Sequence, residues 1–416
     1  MSTTAGLTVV VVGGGPSGST LSLLLARAGW SVTLVEAMTP GVPRPYRGEG
    51  LMPSGVEALE AMGLWPLPPS VRHRPLNGWA VVVDRRPLFA VPEPLAGDRG
   101  CWLVDQDTLL AHLRAELEEL GPVRLVDGVA ARGLLRVNGG EGRVTGVTLA
   151  DGRELEADLV VACDGRQSSL RRQAGLELEG GGTEETVLWF RLTGPEVVPL
   201  ERWLAGRFLT VVGGGVSFAL FAEASGATLR LGWVAEAGVS LPAESAGWRS
   251  CWAEALPAEA GALLAELPAR AIEGPQRFPV RVGWAPCWHT PGLLLLGDAA
   301  HPMSPLRAQG INMALRDALL TARLLKFFQS HHRTGQREPL DALLAGVQTC
   351  RLPEVRKVQA WQAQEARLGA LLRQQAWLRR TLVATLPWSG ALARQRWIQR
   401  QHRLRNGLKG ATTLPK

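Results

Sequence analysis

Residues 8–28 read TVVVVGGGPSGSTLSLLLARA: a β-branched run, Thr8–Val12, then Gly13, Gly14 and Gly15, then Pro16, Ser17, Gly18 and a leucine-rich stretch closed by Gly29. An apolar run that opens onto glycines and then a leucine-rich segment predicts a strand buried in a parallel sheet, followed by a helix. The spacing Gly13-x-Gly15-x-x-Gly18 gives each glycine a separate purpose. The first allows a tight turn, the second lets backbone approach a pyrophosphate, and the third permits close helix–sheet packing. The helix N-terminus, at Pro16 and Ser17, offers free N–H groups to phosphate oxygens. Ser31–Glu36 reads as the second strand. Glu36, eighteen residues beyond Gly18, stands where a carboxylate accepts from an adenosine ribose 2′-OH and repels a 2′-phosphate. A second triplet, Gly213 to Gly215, has Phe218 at the third motif position and reads as a hairpin turn. The fingerprint by itself leaves the choice of dinucleotide open.

Outward from this unit, the chain to about Pro94 is rich in Pro and Gly. It predicts a helix at Ser54–Met62 capped by Ser54, and a hairpin at Trp79–Phe89 turning at Asp84 and Arg85. Gln106–Glu119 carries leucines at helical spacing. Between Val187 and Trp284, short alternating strands surround one helical insertion near Leu241–Leu267, the pattern of a mostly antiparallel sheet set into an α/β unit. Gly292–Leu296 returns to a buried strand, Gly310–Phe328 to a long helix, and from Leu340 the chain reads as helical with breaks at Pro353 and Pro387.

The chain has 416 residues, 46% hydrophobic and 20% charged, enough for two or three packed units. Its five cysteines, Cys101, Cys163, Cys251, Cys287 and Cys350, form no CxxC pair, so neither a disulfide framework nor a zinc site is expected, and no metal. With no basic n-region before the apolar start, a cytoplasmic location is the expectation. The formal charge of +7 is unevenly placed. Arg351 to Lys416 holds fourteen Arg and Lys against two Glu, which leaves the first 350 residues at −5. A uniform nucleic-acid-binding surface is excluded by that distribution.

Two later segments narrow the chemistry. One is VVACDGRQSSLR at 160–171; the other is LGDAAHP at 296–302, followed by Pro305, Arg307, Gln309, Gly310, Ile311 and Asn312. Together with the N-terminal fingerprint and Arg47, they resemble the class A flavoprotein aromatic hydroxylases, the p-hydroxybenzoate hydroxylase-like family, over residues 7–330 or so. The resemblance implies FAD, with NADPH or NADH as a transient electron donor that has no domain of its own. It implies that Gly297 and Asp298 meet the ribityl or pyrophosphate part, and that Asp164-Gly165 contributes to pyrophosphate binding and NAD(P)H use. Arg47 and Gln106 would reach the phosphates. The loop Pro305–Asn312 would line the isoalloxazine, with the helix N-terminus at Gly310 stabilising negative charge near flavin N1. His301 would support that loop.

Where the family commonly has glycines, this chain has Arg307-Ala308, so Arg307 is expected at the flavin, clamping an acidic substrate or the pyrophosphate, or else narrowing or reshaping the flavin loop, and Pro305 and Arg307 are the candidate catalytic residues. The fold expected is α/β: a Rossmann-like FAD-binding domain, an inserted mostly antiparallel β-sheet substrate domain and a helical C-terminal tail. The boundaries are 1–75, 100–180 and 285–340 for the first, 76–99 and 181–284 for the second, and 341–416 for the third. The implied activity is NAD(P)H-dependent monooxygenation of an aromatic or other electron-rich or isoprenoid small molecule through a flavin C4a-hydroperoxide. The alternatives are a reductase of the geranylgeranyl-reductase kind and a non-catalytic flavin sensor or scaffold. A small-molecule substrate, no nucleic acid and a monomer or homodimer are expected. The basic tail, with Trp361, Trp377, Trp388 and Trp397, is expected to cover the body or to touch a membrane peripherally.

Overall fold

The computed structural model describes residues 7–42, 49–95, 97–121, 123–137, 142–180, 185–213, 215–226, 228–235, 241–242, 244–331 and 338–413. Thr8–Val12 lies inside a six-stranded sheet in the order His289–Thr290, Leu293–Leu295, Leu159–Ala162, Thr8–Val12, Ser31–Glu36, Val123–Asp127. All neighbours run parallel except the first pair, which is a short antiparallel hairpin. The central strands are buried on both faces, which is why Val9–Val12 and Leu159–Ala162 carry no polar alternation. The helices Pro16–Arg27, Gln106–Glu118 and Gln309–His331 pack beside one another against this sheet.

A seven-stranded sheet forms the second unit, in the order Ile272–Val280, Glu185–Leu192, Leu229–Ala235, Val216–Ala222, Arg207–Gly213, Gly78–Val83, Arg86–Pro92. Only the pair Arg207–Gly213 and Gly78–Val83 is parallel. Asp84 and Arg85 turn the edge hairpin with positive φ. The helices Ser245–Ala255 and Ala258–Ala265 fill the expected insertion and bury Trp248 and Trp252 against Phe190.

Two local expectations are corrected. Ser54 is not a cap. The helix Pro53–Ala61 starts one residue earlier, with Met52 at the cap position and Pro53 pre-set for the first turn. Pro353 does not break the tail: the helix Glu338–Gln374 runs through it. Proline removes one helical N–H there, but its neighbours Arg351 and Glu354 are fully buried and ion-paired, which holds the turn. The breaks fall at Gln375 and at Thr385, after which Leu386–Asn406 begins with Pro387 in its first turn. Among the described residues no helix is long and apolar enough to cross a membrane.

Candidate active site

The loops after Thr8–Val12, Ser31–Glu36, Leu159–Ala162 and Leu293–Leu295 open onto one cleft of about 420 Å³. Gly13 has φ +105°, and a Cβ there would lie 2.3 Å from the Cys163 carbonyl oxygen; one on Gly18 would lie 1.9 Å from that of Gly13. The fold itself therefore requires these two glycines. Gly15 differs. Its φ of −77° is ordinary, and an added Cβ would meet no protein atom within 4 Å, although the residue lines the cleft. Its glycine answers to what the cleft holds. Beside it, Pro16–Arg27 has no side-chain cap and no acid in its first turn, and Pro16 and Ser17 line the cleft, so the first N–H groups stay available to an anion. Glu36 also lines the cleft. Its Oε2 accepts the Gly14 N–H at 2.8 Å and its Oε1 the Met38 N–H at 2.9 Å, so it shapes the turn as well as presenting a carboxylate.

Asp164, Gly165, Arg166, Gly297 and Asp298 form the opposite wall. Arg166 donates to Asp298 at 2.9 Å and stacks over Phe278 at 4.1 Å. Asp164 accepts the Ser169 and Leu170 N–H groups through Oδ2, at 2.9 and 3.3 Å. Its Oδ1 and the Arg166 Nη1 are buried without a hydrogen-bond partner among the described residues. An unsatisfied buried acceptor and donor on one cleft wall call for a polyhydroxylated, phosphate-bearing ligand to complete them. The donor set therefore fits a dinucleotide such as FAD.

Pro305, Gly310 and Ile311 line the same cleft, as does Gln106, whose helix is capped by Asp105. Arg47 lies outside the described residues. Gln309 and Asn312 stand behind the cleft. Gln309 donates to the Arg307 carbonyl; Asn312 accepts from Met52 at 2.8 Å and donates to Gly50 and Ala308, fixing the loop to the Gly50–Leu51 strand. Arg307 turns away from the cleft. Its Nε donates to Glu365 of the tail at 2.8 Å and its guanidinium lies over Trp79 and Trp397, at 5.2 and 5.6 Å. Arg307 and Ala308 sit at φ +59° and +50°, the region that favours glycine.

Sequence reasoning missed how the loop is held. Asp317, fully buried, accepts from the Gly297 N–H at 3.1 Å, contacts His301 Nε2 at 2.7 Å, and accepts from Arg351 at 2.7 Å. Burial alone would raise the Asp317 pKa, but His301 and Arg351 outweigh it and hold the carboxyl below its ordinary value. Gln359 donates to the Gly283 and Pro302 carbonyls and Gln362 to those of Ser304 and Leu306. The visible signal was Arg316-Asp317, two charges within an apolar helical run.

The alternation of the inserted sheet divides its aromatics. Phe190, Phe218 and Trp233 face the helices Ser245–Ala255 and Ala258–Ala265. Trp189, Phe208 and Phe221 face the other way, joining Trp79, Trp397, Met52 and Ala308. Phe208 and Phe221 stack at 4.9 Å, Trp79 approaches Phe208 at 5.0 Å, and Trp189 meets Phe221 edge-on while also lining the cleft. An aromatic face thus begins where the nucleotide cleft ends.

Comparison with known proteins agrees with this geometry. The family model of the FAD binding domain matches residues 6–343. The chain is 31% identical over 372 residues to 6-methylpretetramide 4-monooxygenase of Streptomyces rimosus, covering 86% of this chain and 84% of that one. It is 27% identical over 378 residues to the ubiquinone hydroxylase UbiL of Rhodospirillum rubrum, covering 83% and 78%. P. aeruginosa PqsL in complex with 2-aminobenzoylacetate has the same fold, with a TM-score of 0.73 at 23% identity over 89% of this chain and 98% of that one.

Proposed function

The chain belongs to the class A, p-hydroxybenzoate hydroxylase-like family of FAD-dependent monooxygenases, and from that premise we propose how its residues divide the work. Residues 1–75, 100–180 and 285–340 hold the cofactor, residues 76–99 and 181–284 the substrate, and the tail from 341 braces both. Gly13, Gly15 and Ser17, with the N-terminus of Pro16–Arg27, take the pyrophosphate, aided by Arg47 and Gln106, while Gly18 lets the helix pack close beneath them. Glu36 takes the adenosine ribose. Asp164, Gly297 and Asp298 take the central hydroxyls and phosphates. Pro305, Gly310 and Ile311 face the ring, with Gln309 and Asn312 setting the loop from behind. Arg307 pins that loop to the tail beside the aromatic face. Bound there, FAD supplies hydride acceptance from NADPH or NADH and activation of dioxygen. The protein's own contribution is to orient and to exclude water, which Trp189 at the cleft, backed by the packed cluster of Phe221, Phe208 and Trp79, does well.

Trp189 on the cleft lining, with the aromatic cluster of Phe221, Phe208 and Trp79 packed behind it, is the observation that carries the reading. It suits a flat, apolar small molecule, aromatic or isoprenoid, and the names of the relatives point the same way. The test is turnover under isotopically labelled dioxygen with NADPH or NADH and a panel of aromatic and isoprenoid compounds. The expected outcome is noncovalent FAD, nicotinamide oxidation that rises with a substrate, and one labelled oxygen atom in the product. A saturated product without labelled oxygen would make the protein a reductase, and flavin binding without turnover would make it a sensor. Gly15→Val should abolish FAD binding without unfolding the protein, because its side chain meets only the cleft. Circular dichroism and flavin titration check both halves of that statement.

A further inference from the structure

The four tail tryptophans divide evenly. Trp397 is buried and Trp361 packs against the core, whereas Trp377 and Trp388 are 65% and 82% exposed, with Leu371 and Leu392 beside them at 47% and 49%. These exposed residues fall around the two breaks of the tail, at the end of Glu338–Gln374, on Ala376–Ala384 and on the first turns of Leu386–Asn406. Trp388 and Leu392 are four residues apart, so they share a helix face; Trp377, Arg380 and Ala384 form a second exposed stripe. Tryptophans this exposed and clustered mark an interaction surface rather than ordinary packing.

Charge identifies the partner. Arg380 is exposed in the stripe with Trp377, Arg396 is exposed one turn beyond Leu392 on the Trp388 face, and residues 366–416 contain no acid. A second copy of this chain would bring like charges face to face with no acid in the tip to compensate. A surface of regularly spaced anions over an apolar interior matches both halves of the pattern, and tryptophan is the side chain best suited to the boundary between them. We propose that the tip formed by Ala376–Ala384 and the start of Leu386–Asn406 docks on an anionic bilayer, with Trp377 and Trp388 among the headgroups and Arg380 and Arg396 on lipid phosphates. The tip has a fixed relation to the aromatic face: Arg379, next to Arg380, pairs at 2.8 Å with Asp84 in the turn of the hairpin that carries Trp79. Docking would therefore set the substrate sheet beside the source of an apolar substrate. The binding itself does not depend on which reaction the protein catalyses.

Flotation of the full-length, FAD-loaded protein with vesicles tests this. Binding is expected to phosphatidylcholine vesicles containing phosphatidylglycerol at low salt, to weaken as salt rises, and to be absent with phosphatidylcholine alone. A W377S/W388S double variant should lose about tenfold or more in partitioning, with FAD content and nicotinamide oxidation unchanged. An R380Q/R396Q variant should lose the preference for anionic lipid. Brominated acyl chains should quench fluorescence of the wild type more than that of W377F/W388F. Absence of flotation overturns the proposal, as does flotation that ignores the tryptophan variants. So does a dimer, seen by light scattering, that dissolves in W377S/W388S while vesicles are ignored.

Discussion

Glu49 shows what a single enclosed carboxyl can do to the whole protein's response to pH. It is buried where the Gly50–Leu51 strand meets the substrate sheet, and accepts the Ala224 N–H at 2.9 Å. Burial, with Glu223 adding to it, raises its pKa from 4.5 to about 7 against the opposing pull of that N–H and of Arg230. The folded state thus favours the protonated form. Its contribution is fully present below about pH 4.5 and is lost as pH rises through 7. Glu49→Gln, always neutral, should flatten the fall in melting temperature between pH 5 and 8 and stabilise the protein at the upper end by on the order of 2–3 kcal/mol. A variant whose pH–stability curve parallels the wild type would acquit Glu49. None of this was legible from the sequence, where Glu49 is one acid in a Gly-rich segment. Arg307 carries the same lesson: its position in the flavin loop was readable, but its direction depends on Glu365, fifty-eight residues later.

At the scale of elements, periodicity was a good guide wherever a segment is decided by its own pattern. The buried strands, the long helix Gln309–His331 and the hairpin at Asp84-Arg85 follow from runs and turns read locally. It failed at Pro353, where buried ion pairs from a distant helix overrule a local breaker, and at Ser54, where a proline one residue earlier sets the helix start. The fingerprint and the Gly297-Asp298 loop were recognisable because their spacing is a backbone requirement. The support under the loop was not, because a glutamine donor looks like any surface glutamine until its helix is placed. Gln359 and Gln362 satisfy four carbonyls, those of Gly283, Pro302, Ser304 and Leu306. Pro302 keeps the Gly283 N–H, so three acceptors are left unmet; at roughly 1 kcal/mol each, a Q359A/Q362A double variant should bind FAD up to about a hundredfold more weakly with its global fold kept. Flavin fluorescence titration reads the affinity; unchanged binding would mean that the loop holds itself.

For the whole molecule, the tail that packs Trp361 and Trp397 on the body also fastens it with buried ion pairs. Arg351 pairs with Asp317 inside the long helix, Glu365 with Arg307 in the loop, and Arg405, fully buried, with Glu93 and Asp98 of the substrate side. Ending the chain after Cys350 would remove the arginine partner of Asp317, Glu93 and Asp98, leaving Asp317 with His301 and the Gly297 N–H, Glu93 with the Trp79 indole and Asp98 with the Gly100 N–H. Each broken pair costs about 3–5 kcal/mol, against a total stability on the order of 5–15 kcal/mol. The shortened chain should be recovered unfolded or without flavin; a 1–350 fragment that melts with the wild type and retains FAD would contradict this. The sequence indicated a helical tail but not its reach, because a pairing across three hundred residues leaves no local periodicity. The fasteners also impose a timetable on biosynthesis. The fingerprint that first meets the nucleotide emerges from the ribosome early, whereas the residues that brace the ring's loop belong to a segment translated after it. At roughly 5–20 residues per second, the stretch 351–413 occupies about 3–13 s, during which Asp317 has His301 and the Gly297 N–H but not Arg351. Until that interval closes the loop lacks its brace, and tight flavin uptake waits on the tail.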